Sequence, residues 1–307
     1  MLSLNRLAIV GSGPTALYLL RYLAESAHEF GDGIASIDVF EQGPQLGVGM
    51  PYSRETTDHH HMCNISSEEL PPLVQSFADW LRSLNKESLN EFGLSRDNVS
   101  HDETYSRIAM GEYFADQFQA MVSKLDRVGI EVVEHSSCKV VDIVDQRHAN
   151  TIVVKTAAGS RHTFDAVVIA SGHHFCDVDD PDSGYFASPW PIQKLLPKKG
   201  QFCDFTVGTL GASLSAFDLI SSLAHRHGKF TGDGSLRYKA NEGCENFKLV
   251  MHSAQGWLPH LQYEQVEPFR ELYRHVTAGI HREWTLLGGV ESPNADRSKR
   301  HMASFLW

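Results

Sequence analysis

The chain has 307 residues and a formal net charge of −11, with 27 Lys and Arg against 38 Asp and Glu. This length accommodates one large or two medium domains, and 42% hydrophobic residues are typical of a globular protein. The acidic balance argues against nucleic acid or an anionic membrane as the main partner. The five cysteines are scattered and form no Cys-x-x-Cys pair, so we expect neither disulfides nor zinc, and a cytoplasmic location. We also expect no membrane span, because no apolar run approaches about 18 residues.

Strands and helices alternate along the first part of the chain. We predict a strand at 7–10, a helix from Pro14, a strand at 34–40, a long loop over 43–75, and helices at 77–84 and 111–128. Strands follow at 130–134, 138–144, 151–157 and 165–170, with a hairpin turn at 158–159. Beyond an Asp- and Pro-rich linker at 177–200, we predict strands at 205–210 and 247–252 and helices at 213–227 and 264–276.

A strand, a glycine turn and a helix therefore occur twice. This coarse duplication predicts an α/β fold with two Rossmann-like dinucleotide-binding halves and a β-hairpin insertion. We expect an FAD-binding domain over 1–180 and a partial NAD(P)-binding-like domain over 200–307.

The first turn carries the strongest motif, a G-x-G-x-x-A formed by Gly11, Ser12, Gly13, Pro14, Thr15 and Ala16. Gly11 allows a tight turn, Gly13 lets the backbone approach a pyrophosphate, and Ala16 lets the helix pack closely on the strand. The helix N-terminus then offers free N–H groups to phosphates. Glu41, followed by Gln42, ends the next strand, where an acid accepts hydrogen bonds from ribose hydroxyls. The alternative is a purely structural strand–helix turn.

Two later motifs favour the same chemistry. The strand at 165–170 ends in Ser171-Gly172, as in two-dinucleotide flavoproteins where the chain returns to the cofactor, although alone it could be a buried strand and a turn. The segment from Gly208 to Ala216 resembles a second fingerprint that keeps Gly211 but has Ser213 in place of the central glycine. Because a Cβ at this position would press on a pyrophosphate, binding of NADPH or NADH would need an altered geometry.

Further segments occur in a specific order between these motifs. They are Gly47–Ser53, His61–Asn64, Phe77–Leu81, Arg107 with Gly111–Tyr113, Pro189-Trp190 and Gly256–Pro259. Over about residues 5 to 262 the chain resembles the FAD/NAD(P)-binding family that includes the HpyO-type urate hydroxylases and the flavin enzymes that oxidise the amine of aspartate. The resemblance implies FAD on the first half, NAD(P)H on the second, and a monooxygenase reaction on a small polar metabolite.

The resemblance also implies roles for individual residues. Gly11, Gly13 and Ala16 match the phosphate loop of the family, and Glu41 matches its ribose acid. Further cofactor contacts are implied for Tyr52, His61, Asn64, Arg107 and Val140. Flavoproteins of this architecture usually return to the FAD domain after the nicotinamide domain, and we find no such returning segment here. A regulatory or partner subunit that binds FAD without turnover is therefore the rival hypothesis.

Other site types find little support. Three adjacent histidines, His59, His60 and His61, cannot all face one ion, so we predict an exposed loop with His61 turned inward and no metal site. The acidic run at 177–182 lacks the glycine and the terminal Glu of an EF-hand, so we predict a solvated linker there rather than a calcium site. No G-x-S-x-G elbow is present for a hydrolase. The sequence names no catalytic acid or base, and it leaves open the substrate, the choice between NADH and NADPH, and whether the protein is a homo-oligomer.

Overall fold

A computed structural model describes residues 4–30, 33–173, 178–232, 235–256 and 258. The helices are α1 (Pro14–Glu25), α2 (Ala27–Phe30), α3 (Phe77–Ser83), α4 (Lys86–Glu91), α5 (Arg107–Arg127) and α6 (Leu214–His227). The strands of the first part are β1 (Arg6–Val10), β2 (Ser36–Phe40), β3 (Glu131–His135), β4 (Val140–Gln146), β5 (Thr151–Thr156), β6 (Arg161–Phe164) and β7 (Ala166–Ile169). Those of the second part are β8 (Thr206–Leu210), β9 (Gly228–Thr231), β10 (Arg237–Ala240) and β11 (Lys248–His252).

The first part is built on a four-stranded parallel sheet with the order β3-β2-β1-β7. Its inner strand β1 is apolar on both sides, as a parallel strand covered on both faces is. On one face Ile9, Val39 and their neighbours pack against α1 and α5 in a single core. On the other face Ala8 and Phe40 pack against an antiparallel meander, β4-β5-β6. The α/β class with a parallel sheet is therefore confirmed, and the predicted hairpin insertion is this meander.

The second part has smaller sheets. Strands β8 and β11 form a parallel pair, and β9 and β10 form an antiparallel hairpin. The hairpin was not foreseen from the sequence. Because the described residues of this part contain one parallel pair rather than a full sheet, a second complete Rossmann half stays a prediction, as do the domain boundaries. The predicted helix at 264–276 lies outside the described residues.

Helix α5 begins four residues earlier than predicted. Ser106 caps it, since its hydroxyl accepts a hydrogen bond from the amide of Ala109 at 3.2 Å. Ile108 and Met110 are buried ahead of Gly111, so the apolar face of the helix extends further toward the N-terminus than the sequence predicts. Helix α4 was also missed; it is a single short segment capped by Asn85.

The linker at 177–200 is less solvated than the sequence predicts. Ile192 is fully buried and its amide donates to the carbonyl of Thr56 at 3.1 Å. Asp179, one of the acids predicted to be solvated, pairs with Lys194 at 2.6 Å. The linker is therefore packed against the long loop of the first part. Among the described helices, none combines the length and the apolarity that crossing a membrane requires.

Candidate functional site

The loop between β1 and α1 is held by close backbone approaches. Gly11 has a φ of +96°, and its amide donates to the carbonyl of Phe40 at 2.8 Å. A Cβ at Gly11 would lie 2.3 Å from the carbonyl oxygen of Ala170, so only glycine fits. This approach brings the end of β7, with Ser171 and Gly172, against the loop. The sequence motifs at 11–16 and 171–172 are thus neighbours in space.

Free backbone donors lie at the start of α1. The amides of Gly13, Thr15 and Ala16 have no hydrogen-bond partner in the described part of the chain, and Pro14 has no N–H. The first intrahelical bond runs from the amide of Leu17 to the carbonyl of Gly13 at 3.1 Å. Unpaired amides at a helix N-terminus, with the positive end of the helix dipole, form an anion site. This arrangement fits a pyrophosphate.

Glu41 organises this loop directly. Its carboxylate accepts hydrogen bonds from the hydroxyl of Ser12 at 2.7 Å, from the amide of Ser12 at 3.2 Å and from the amide of Gly43 at 2.9 Å. Ser12 is fully buried, and its hydroxyl accepts a further bond from the amide of Gly47 at 3.0 Å. The acid therefore lies beside the phosphate loop, as the ribose prediction requires, and its bond to a ribose stays a prediction.

The long loop also touches the phosphate loop. A Cβ at Gly13 would lie 3.2 Å from the Cα of Gly49, so the space next to Gly13 is bounded by protein backbone. Tyr52 follows in a 3₁₀ turn, Met50–Tyr52, and its carbonyl packs so closely on α5 that a Cβ at Gly111 would lie 2.4 Å away. The Tyr52 ring meets Phe114 edge to face at 5.2 Å. Tyr52 is thus fixed near the phosphate loop. The close backbone contacts leave no room for a side chain at Gly111 and little at Gly13.

For three of the predicted cofactor contacts, the structure shows the position of the residue but no feature of a binding site. Val140 is half-buried at the start of β4, and the preceding segment reaches Glu41 through the amide of Cys138, which donates to the Glu41 carbonyl at 2.7 Å. Gln42 and Asn64 are exposed. Their contact with a cofactor stays a prediction.

His61 and Arg107 have protein partners that the sequence did not reveal. His61 is turned inward, as predicted, and is fully buried. Its Nδ1 lies 2.7 Å from the hydroxyl of Thr57, and its Nε2 lies 2.8 Å from the hydroxyl of Ser222 on α6. Arg107 forms an ion pair with Asp218, also on α6, at 2.8 Å. The cofactor contact that the resemblance implies for Arg107 stays a prediction, and within the protein its ion-pair partner is Asp218.

The pKa values of this cluster are shifted by burial in opposite senses. Burial lowers the pKa of His61 from 6.5 to about 4, with the positive charge of Arg107 adding to the effect. Burial also raises the pKa of Asp218 from 3.8 to about 6, although Arg107 opposes this shift. At neutral pH a neutral imidazole therefore lies beside an ionised pair. These residues join the long loop, α5 and α6.

The second glycine turn repeats the backbone of the first. Gly211 has a φ of +125°, and its amide donates to the carbonyl of His252 at 2.8 Å, as the Gly11 amide does to Phe40. Ser213 precedes α6 with φ −92° and ψ −176°, close to the −66° and −169° of Gly13. Ser213 is exposed and its hydroxyl makes no capping bond. The serine therefore adopts the conformation of the glycine it replaces without backbone strain.

A separate cleft of about 560 Å³ lies beside the His61 cluster. Thr57 and Ser222, which hold the two nitrogens of His61, are among its lining residues, and Lys199 and Arg226 add positive charge. No residue of the 11–16 loop lines it. The cleft is thus distinct from the phosphate loop.

Comparison with known proteins agrees with the geometry of the first part. A family model described as FAD-NAD(P)-binding matches residues 8–174, which is more than half of the chain. The chain belongs to this family. The match begins in β1 and ends just after Gly172, so it spans the loop, Glu41 and the return of β7.

One curated relative and several solved structures are similar to the chain. The uncharacterized protein YdhS of Escherichia coli (strain K12) is 31% identical over 272 residues, which cover 88% of this chain and 49% of the relative. The chain thus spans about half the length of this relative. Among solved structures, Tmm from Pelagibacter sp. strain HTCC7211 aligns with a TM-score of 0.44 and 19% identity, over 81% of this chain and 55% of that one. Cyclohexanone monooxygenase from Rhodococcus sp. Phi1 bound to NADP+ aligns with a TM-score of 0.38 and 14% identity, over 79% of this chain and 42% of that one. Because both structural scores are low, membership rests on the family model.

Proposed function

We propose that the protein binds FAD at the loop of residues 11–16 and acts as an FAD-dependent oxidoreductase with NADPH or NADH as electron donor. We further propose a monooxygenase reaction on a small polar metabolite, in line with the resemblance to the HpyO-type urate hydroxylases and the amine-oxidising flavin enzymes. The observation that carries the proposal is the set of unpaired amides of Gly13, Thr15 and Ala16 at the start of α1. Family membership supports both dinucleotides.

The residues present would hold the cofactor as follows. The three amides would bind the pyrophosphate, Glu41 the ribose, and the backbone near Val140 the adenine. The close contact of Gly11 with Ala170 keeps the end of β7 beside this site. The bound flavin would supply the redox chemistry, and the protein would supply binding, orientation and exclusion of water. This division explains why no acid–base pair stands out in the sequence.

Absorbance of the purified protein tests the proposal. The protein, as isolated or after incubation with FAD, should show the flavin bands, and NADPH or NADH should bleach them under anaerobic conditions. Isotope-labelled oxygen should then appear in the product of a substrate found by screening NAD(P)H consumption. Protein that cannot be loaded with FAD would remove the proposal.

Two rival outcomes are distinguishable. Flavin bands that neither nucleotide bleaches would indicate a subunit that binds FAD without turnover. Bleaching with a product that contains no labelled oxygen would indicate hydride transfer without oxygen insertion. Either result would keep the cofactor assignment and change the reaction.

A further inference from the structure

A polar cluster lies between the parallel sheet and the meander, on the face of the sheet away from α1 and α5. It consists of Asp38 on β2, His135 at the end of β3 and His162 on β6. One carboxylate oxygen and one nitrogen from each ring lie within 4.8 Å of one another. Two imidazoles and a carboxylate from three strands are a ligand set that suits divalent transition metals.

Asp38 is a buried carboxylate with one short and one long polar contact. The residue is 3% exposed, and one of its oxygens lies 2.8 Å from Nε2 of His135. The other oxygen accepts a long hydrogen bond from the guanidinium of Arg6, at 3.5 Å. The side chain of Arg6 is 46% exposed, and its guanidinium lies over the ring of Phe164 at 5.0 Å. A buried carboxylate is costly unless it is closely paired, and this pair is long and partly open to water.

His162 has ring neighbours but no hydrogen bond. Within the described residues, its nitrogens have no partner, and its contacts are with aromatic rings. Its ring lies 5.2 Å from the ring of His135, at an angle of 64°. Asp38 and His135 are therefore already in contact, and His162, which has no hydrogen-bond partner among the described residues, is the third member of the group.

We propose that Asp38, His135 and His162 bind one divalent transition metal ion of the zinc type. Two imidazole nitrogens and one carboxylate oxygen would form three ligands, with water as the fourth. Ligands of a tetrahedral ion lie roughly 3.3 Å apart, so His162 must move inward. It stands on β6, which is the edge strand of the meander and is paired on one side only. The ion would replace the distant guanidinium of Arg6 as the countercharge of Asp38 and would fasten the meander to the sheet.

The sequence alone could not show this site. The three residues stand at positions 38, 135 and 162, with none of the short ligand spacings that mark zinc motifs. The histidines that drew attention in the sequence, at 59–61, are in a different part of the structure. The proposal does not depend on the flavin.

Equilibrium dialysis of the purified protein against Zn²⁺, after treatment with a chelator, tests the site. Elemental analysis should find one tightly held zinc per chain, and His162→Gln should weaken this binding at least about tenfold, since even a supporting residue is worth that much. His59→Gln, which removes an exposed histidine elsewhere, should leave it unchanged. X-ray absorption of the zinc-loaded protein should show nitrogen and oxygen ligands at about 2.0–2.2 Å.

The shift in Tm on adding Zn²⁺ gives a second measurement. A purely structural role of His162 would leave this shift unchanged. Zn²⁺ should raise the Tm of the wild type and of His59→Gln by similar amounts and that of His162→Gln by less, because a ligand stabilises the folded state according to its affinity for that state. Equal zinc content in the wild type and His162→Gln, or no zinc retained by the wild type, would overturn the proposal. Asp38→Asn provides a further check at the carboxylate: zinc binding as tight as that of the wild type would also overturn it.

Discussion

The carboxylate of Glu41 accepts two hydrogen bonds from Ser12, one from the hydroxyl at 2.7 Å and one from the backbone amide at 3.2 Å. The two residues are 29 positions apart and join the end of β2 to the loop after β1. Ser12 in turn accepts a bond from the amide of Gly47. The shape of the phosphate loop is therefore set by protein contacts before any cofactor binds.

Ser12→Ala should destabilise the protein and weaken FAD binding together. The change leaves the buried amide of Gly47 without its acceptor, at a cost of about 1–3 kcal/mol, and frees Glu41 to shift. Urea denaturation and FAD titration measure the two effects. Ser76→Ala is a matched control, because it removes a helix cap on α3 at a cost of about 1 kcal/mol. It should lower stability by a comparable amount and leave FAD affinity unchanged. Unchanged FAD affinity in Ser12→Ala would contradict the prediction.

Gly11→Ala should abolish FAD retention and cost more than about 2 kcal/mol of stability, because overpacking adds to backbone strain. The new methyl group would meet the carbonyl of Ala170 at 2.3 Å. Gly159→Ala is the control. It has a similar φ of +86° but open space around it, so it should cost only about 1–2 kcal/mol and keep the flavin. Flavin content by absorbance and unfolding by circular dichroism distinguish the two variants; equal behaviour would show that the close approach is unimportant.

His61→Gln should lose stability relative to the wild type as the pH rises from about 4 to 6.5. The folded pKa of His61, about 4, is below its unfolded value of 6.5. The unfolded state therefore binds more protons over this range, and His61 contributes stability that grows with pH. Urea midpoints measured across the range should show a widening gap between the two proteins.

Asp218→Asn should show the opposite trend: its stability relative to the wild type should increase as the pH rises. The folded pKa of Asp218, about 6, is above its unfolded value of 3.8, so its contribution to stability is lost as the pH rises between them. Near pH 4 the folded wild type gains stability because it binds a proton at Asp218 more tightly than the unfolded chain does, and the variant lacks this gain. Its deficit should narrow as the pH rises from about 4 to 6. A deficit that widens would refute the burial of this carboxyl.

Ser213→Gly should maintain or tighten the binding of NADPH or NADH. Ser213 has the backbone conformation of Gly13, and its hydroxyl makes no capping bond, so stability should change by only a few tenths of a kcal/mol. Removing the Cβ opens space for a pyrophosphate. Fluorescence titration of the nucleotide measures the effect. A large loss of affinity would mean that the serine hydroxyl is itself a ligand.

Much of the first half could be predicted from the sequence because its signals are local. The change from an apolar run to helical spacing at Pro14 marks the end of β1 and the start of α1. The glycines at 11 and 13 indicate a turn whose positive φ and close contacts only glycine permits. The second turn, at Gly211, was predicted for the same reason. These features depend on residues that are near one another in the chain.

The sequence by itself determined the α/β class, the loop at 11–16 and the acid that ends β2. Only the tertiary structure decided which polar side chains meet. Arg107 pairs with Asp218, and His61 bonds to Ser222. Asp38 contacts His135 and has His162 within 4.8 Å, each on another strand. The physical reason is that backbone conformation and burial follow from local periodicity. The partner of a buried charge, in contrast, is whichever group the packing of distant elements brings within about 3 Å.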